Sequence, residues 1–136
     1  MGLPAVAVSL ADYNSQDFSV AASVAATIIG QLAKHPLPND QILNVNVPPV
    51  TKQQIKGIKT TRCGKRHQAE TMVKTFDPHG REIYWYGPVG EIKDASAGTD
   101  FYAITQGYVS VTPISVDMTA KESINLLDSW FTEMKI

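Results

Sequence analysis

Apolar and polar positions change rhythm several times along the chain. Residues 4–10 (Pro-Ala-Val-Ala-Val-Ser-Leu) form a nearly continuous apolar run of strand length. That is the pattern of a strand covered on both faces within a parallel sheet, so it is expected in the sheet interior. Residues 11–15 are polar and irregular. Beyond them Phe18, Ala21, Ala22, Ala25, Ile28, Ile29 and Leu32 recur at three- and four-residue steps, which predicts a long helix. Ser15 is its expected N-cap, and Asp17 brings a negative charge to its first turn. Pro36 and Pro38 end it. In residues 41–47, Ile42, Leu43, Val45 and Val47 surround Asn44 and Asn46, and the run stops at Pro48-Pro49, which reads as a second strand. Strand, helix, strand in this order is a βαβ unit with a right-handed parallel crossover. Residues 1–50 therefore predict an α/β core.

Residues 51–98 follow another rule. Short strands are expected over 57–63, 69–76 and 81–86, and Asp77-Pro78-His79-Gly80 is a strong turn signal between the last two. This is an extended antiparallel hairpin excursion. Its final strand carries Ile83, Tyr84, Trp85 and Tyr86, and a ribbon so apolar is not stable alone in water, so another surface is expected to cover it. After a polar stretch at 91–98, Thr99-Asp100 caps a short helix, and 108–114 reads as a strand. Thr119 to Glu122 fits a capping box opening a C-terminal helix, whose apolar stripe is Ala120, Ile124, Leu127, Phe131 and Met134, widened by Leu126 and Trp130. Residues 99–136 close the single domain.

Composition narrows the setting. With 136 residues, 43% of them hydrophobic and 18% charged, one globular domain can bury a core. No run reaches the roughly 20 apolar residues of a membrane helix, and the first residues lack the basic region of a signal peptide, so no membrane contact and a cytoplasmic location are expected. Cys63 is the only cysteine, which rules out an intramolecular disulfide. The net charge of −1 conceals a basic segment: Lys52, Lys56, Lys59, Arg62, Lys65, Arg66 and Lys74 face one acid, Glu70, within residues 51–74. Such a segment fits either phosphates or a solvated surface. It lacks the aromatic interleaving of an RNA-binding sheet, and no nucleic-acid partner is expected.

Few residues carry obvious chemistry. There is no phosphate-binding glycine loop, no Gly-x-Ser-x-Gly elbow, no His-Glu-x-x-His helix and no adjacent aspartate pair. Ser9 ends the first strand, where open α/β sheets place ligands, and is a candidate pocket-wall residue or a turn residue bonded to backbone. Arg62 and Arg66, with neighbouring Thr60, Thr61 and Lys65, could bind an anion through guanidinium forks. Cys63 sits near Arg62 and Lys65 but has no partner base, and a small filler in a strand is the expected role. His35, His67 and His79 fall far apart and are expected to be exposed. Asp100 and Asp117 stand beside threonines at helix starts, where a carboxylate caps free amides.

Seven segments, in order and at suitable spacing, carry a resemblance. They are Gly2 to Leu10, Leu43-Asn44-Val45-Asn46-Val47-Pro48, Lys56 to Gly64, Asp77-Pro78-His79-Gly80-Arg81, Tyr84-Trp85, Gly98-Thr99-Asp100-Phe101 and Tyr108 to Pro113. Together they resemble the C-terminal half of the SurE family of stationary-phase survival proteins. The resemblance implies a Rossmann-like core, here a partial three-layer remnant of the parallel sheet. It implies a hairpin and a C-terminal element that exchange between subunits, and assembly as homodimers or homotetramers. It also implies hydrolysis of nucleoside monophosphates, and in some members short polyphosphate, with magnesium or manganese. The family's cation ligands are paired aspartates, a serine and an asparagine, all preceding the region that resembles this chain. No catalytic or metal-ligand residue is therefore expected here, and the chain alone is expected to be inactive, as scaffold and oligomerisation surface. Ser115 stands where family members often have histidine. A non-catalytic binding or structural piece, and a nucleic-acid-binding module, are the alternatives.

Overall fold

The computed structural model describes residues 5–67, 71–132 and 134. The elements in chain order are β1 (Ala5–Leu10), α1 (Ser19–Leu32), β2 (Gln41–Val47), a 3₁₀ turn (Lys52–Gln54), β3 (Ile58–Thr60), β4 (Lys65–Arg66), β5 (Val73–Phe76), β6 (Glu82–Trp85), β7 (Ile92–Asp94), α2 (Asp100–Thr105), β8 (Val109–Ser115) and α3 (Lys121–Phe131). None of the described helices is long and apolar enough to cross a membrane.

The expected βαβ unit is present. β1 runs parallel to β2, from Ala5 opposite Ile42 to Leu10 opposite Val47, with α1 packed against both strands. The sheet then departs from the parallel expectation. β8 is antiparallel to β2 and β3 is parallel to β8, giving a mixed four-stranded sheet in the order β1-β2-β8-β3. Among the described residues β1 is therefore an edge strand of this sheet. One side of its ladder has no partner among the described residues, and Ala5, Ala7, Val8 and Ser9 are exposed.

Strand alternation divides the sheet into two faces. Leu43, Val45 and Val47, with Val109, meet Ala21 and Ile28 of α1 in the apolar core. The intervening positions of β8, Ser110 and Thr112, are also buried, but their hydroxyls meet Thr61, whose Oγ1 lies 2.7 Å from each. α2 lies against β8 and β2, with Ala103 buried.

Three local expectations are corrected. Ser15 does not cap α1, which begins at Ser19 without a side-chain cap; Ser15 Oγ instead accepts the Asp17 amide hydrogen, and the Asp17 carboxylate takes that of Ser19 at 2.8 Å. Asp17 thus stands before the helix and not in its first turn, and, being two residues from Ser19 where Ser15 is four, it takes the first free amide. The Thr119–Glu122 capping box does not form either. Ala120 precedes α3, and Asp117 binds both the Thr119 amide and the Lys121 ammonium. Finally, the strand expected over 57–63 shrinks to β3 and joins the main sheet, so the excursion starts only after it. Its hairpin forms as expected: β5 and β6 pair from Val73 opposite Trp85 to Phe76 opposite Glu82, and Gly80 has φ of +78° at the turn. Residues 69 and 70 of the expected strand 69–76 lie outside the described residues. The polar stretch at 91–98 conceals β7, which pairs with β4.

Candidate functional site: a cleft at the carboxyl edge of the sheet

β1 and β2 both end beside a cavity of about 530 Å³ that opens between the loop after β1 and the turn after β2. Asp12, Ser15 and Asp17 line one wall, and Thr51, Lys52 and Gln54 line the other. Local bonds shape both. Asp12 accepts the Asn14 amide hydrogen at 2.9 Å, and the Ser19 amide holds the Asp17 carboxyl below the usual carboxylate range. Across the cleft, Gln54 Oε1 accepts from both the backbone amide and the hydroxyl of Thr51 at 3.0 Å, which fixes the turn presenting Lys52. The cleft offers two carboxylates and one ammonium. Two hydroxyls, of Ser15 and Thr51, lie among them.

Among the described residues, no three His, Cys, Asp or Glu side chains come close enough together to hold a metal ion.

Ser9, Arg62 and Arg66 are not brought together. Ser9 pairs with Asn46 at the end of β1, and Leu10, not Ser9, reaches the cleft. Arg62 lies at the neck of the excursion, where its Nη1 meets Asp94 Oδ2 at 2.8 Å and its Nη2 donates to Ser96 Oγ at 3.0 Å. The Asp94 carboxylate holds the guanidinium pKa above its ordinary value, and the Arg62 fork in turn holds the Asp94 carboxyl well below the carboxylate range. Arg66 stacks on Phe101 with its guanidinium carbon 4.9 Å from the ring centre, and donates to Gly90 O. Cys63 is exposed and outside any strand, so it fills no core. His35, His67 and His79 are exposed. Asp100 Oδ1 accepts from the amides of Phe101 and Gly64, at 2.8 and 2.7 Å, so its capping reaches across the neck. Ser115 Oγ donates to Asp117 O.

Sequence reading passed over Asp12, Asp94 and Ser96, and named Lys52 only as part of the basic segment. Asp12 had a usable signal, since it follows a strand of the βαβ unit directly. Asp94 and Ser96 had none, because their partner lies 32 and 34 residues away.

Two apolar surfaces stand apart from the cleft. Tyr84, Trp85 and Tyr86 of the hairpin are 53, 62 and 85% exposed. The whole stripe of α3, including Ile124, Leu127, Trp130 and Phe131, is also exposed.

Known proteins place this architecture. The SurE protein of Aquifex aeolicus, a crystal structure, superposes with a TM-score of 0.72 at 36% sequence identity, covering 95% of this chain and 52% of that one. The 5′-nucleotidase SurE of Pseudoalteromonas atlantica is 55% identical over 134 residues, 98% of this chain and 54% of the relative. The chain spans about half the length of these relatives. A family model described as Survival protein SurE matches residues 1–70. With that match, and with its sheet and helices superposing on a SurE structure, the chain belongs to the SurE survival-protein family.

Proposed function

We propose that these residues form the C-terminal portion of a metal-dependent 5′-nucleotidase that hydrolyses nucleoside monophosphates in the cytoplasm. In this reading they supply scaffold and oligomerisation surface, within a homodimer or homotetramer, and are inactive alone. The observation that carries it is the 55% identity to a 5′-nucleotidase SurE along 134 residues. Inactivity in isolation follows, in this reading, from the resemblance, which puts the cation ligands in a part of the family's fold that these residues do not resemble. The oligomerisation role is supported by the exposed aromatic ribbon and the bare stripe of α3, both larger than a lone surface residue needs to be. Ser9 stands beside the cleft-lining Leu10 but does not line the cleft, so its pocket-wall role is not carried into this reading. Arg66 is the better placed of the two candidate anion-binding arginines, since the fork of Arg62 is already taken by Asp94 and Ser96.

The test is a pair of assays. The chain alone, with magnesium or manganese, is expected to hydrolyse nucleoside monophosphates no faster than buffer. A chimera in which these residues replace their counterpart in the Pseudoalteromonas atlantica protein is expected to hydrolyse them. A folded but inactive chimera, or metal-dependent turnover by the chain alone, refutes the reading.

A further inference from the structure

We propose that Arg62, Asp94 and Ser96 form a clasp that sets the direction in which the β5–β6 arm leaves the domain. The clasp thereby sets which part of a second copy the aromatic ribbon meets. The second clause rests on the oligomerisation reading above; the first does not.

The need for a clasp follows from the neck. The arm leaves after Thr61 and returns before Thr99, and backbone pairing between the two sides is meagre. Arg62 bridges Thr99, with its amide on Gly98 O and its carbonyl on the Asp100 amide; beyond it the described backbone pairs at Lys65 opposite Asp94 and Arg66 opposite Ile92, with a shift of register between them, and through the His67 amide on Glu91 O. So short and irregular a ladder does not fix a direction. The ribbon contributes little, because β5 and β6 pack chiefly on each other.

Side chains supply what the ladder lacks. The planar fork of Arg62 reaches three acceptors at once: Asp94 Oδ2 at 2.8 Å, Ser96 Oγ at 3.0 Å and Cys63 O at 3.3 Å. The second oxygen of Asp94 accepts the Ser96 amide at 3.0 Å and its hydroxyl at 2.7 Å, so the returning strand is locked as it is gripped. A lysine cannot do this, having a point charge and no fixed fork. Behind the clasp, Gly64 packs so tightly that a Cβ would enter the Phe101 ring and approach Asp94 O to 2.6 Å. Its amide is held by Asp100. Arg66 on the other face of the neck stacks on the same Phe101. The neck is thus held to the start of α2 at Gly64 and at Arg66.

The experiment measures direction itself. Nitroxide labels are placed at the hairpin tip (His79→Cys) and on α1 (Gln31→Cys) in a Cys63→Ser background, and diluted with unlabelled chain so that only distances within one molecule are read. A single narrow distance is expected. Arg62→Ala and Arg62→Lys widen the distribution about twofold, and Lys93→Ala leaves it unchanged. Ser96→Ala, which deletes one acceptor, gives an intermediate width and guards against misfolding of the arginine variants. Distributions for Arg62→Ala and Ser96→Ala as narrow as the parent's overturn the clasp. Sedimentation of the same samples judges the second clause separately. Loss of a single defined assembly in Arg62→Ala supports it, and an unchanged assembly beside a widened distance overturns it. A parent that is monomeric throughout overturns it together with the oligomerisation reading, while the distances still decide the clasp.

Discussion

The hydroxyls of Thr61 and Ser110 meet at 2.7 Å on a buried face of the sheet, across 49 residues of chain. Thr112 completes the group from the same strand as Ser110. Replacing Thr61 with valine leaves both partners buried without it, which is expected to cost about 1–3 kcal/mol, whereas Thr61→Ser retains most of the stability. Chemical denaturation of the three proteins checks this; equal midpoints for Thr61→Val and parent would refute it.

The clasp has a defined response to acid. Asp94 is held below the carboxylate range chiefly by the Arg62 hydrogen bond and then by Ser96. A depressed native pKa adds stability that is fully present above the unfolded value, about 3.9, and is lost as pH falls below it toward the native one. The stability difference between parent and Asp94→Asn should therefore be flat from neutral pH down to about pH 5 and shrink in stronger acid. A difference that vanishes between neutral pH and pH 5 contradicts the assignment.

Self-association should depend on the ribbon. Trp85 is 62% exposed in the single chain, and large aromatics dominate interfaces. Trp85→Ala is expected to weaken association by about 2 kcal/mol, against little change for Lys93→Ala. Sedimentation equilibrium reads both. A compact micromolar monomer, indifferent to Trp85→Ala, is the opposing result.

The basic segment should not read DNA sequence. Lys52 lines the cleft, Lys59 lies over the Tyr108 ring at 4.0 Å, Arg62 is bound to Asp94, Arg66 stacks on Phe101, and Lys74 pairs with Glu82 at 2.6 Å, so these charges are engaged at separate places. No described helix carries them along one groove-sized face, as major-groove readout by a helix requires. Weak duplex binding abolished by moderate salt is expected. Discrimination between duplexes at physiological salt would overturn this.

What the sequence disclosed was local. Apolar rhythm marked β1, α1 and β2, Asp77 to Gly80 marked the hairpin turn, and Thr99 does cap α2, accepting the Tyr102 amide at 3.2 Å. What it concealed was decided at long range. Ile58 and Val109 are 51 positions apart, and only their pairing makes β3 part of the main sheet. β4 and β7 are too short to show a period, and two carboxylates, Asp17 and Asp117, displaced the caps that spacing favoured. The candidate site was legible only at its margins, in the end of the first strand and in Lys52 of the basic segment. The cleft itself is assembled from two loops, and loops carry no periodic signal.

The neck of the arm has one more effect, on chain entropy. Because the Arg62 amide donates to Gly98 O and the Asp100 amide to Arg62 O, exit and return lie side by side. Residues 63–97 are therefore a closed loop hung on the sheet, and the sheet closes without them. Doubling the length of such a loop costs only about 0.6 kcal/mol. The arm can accordingly lengthen, shorten or change its tip in evolution while β3 and β8 keep their register, leaving the reach of the molecule free to vary independently of its core.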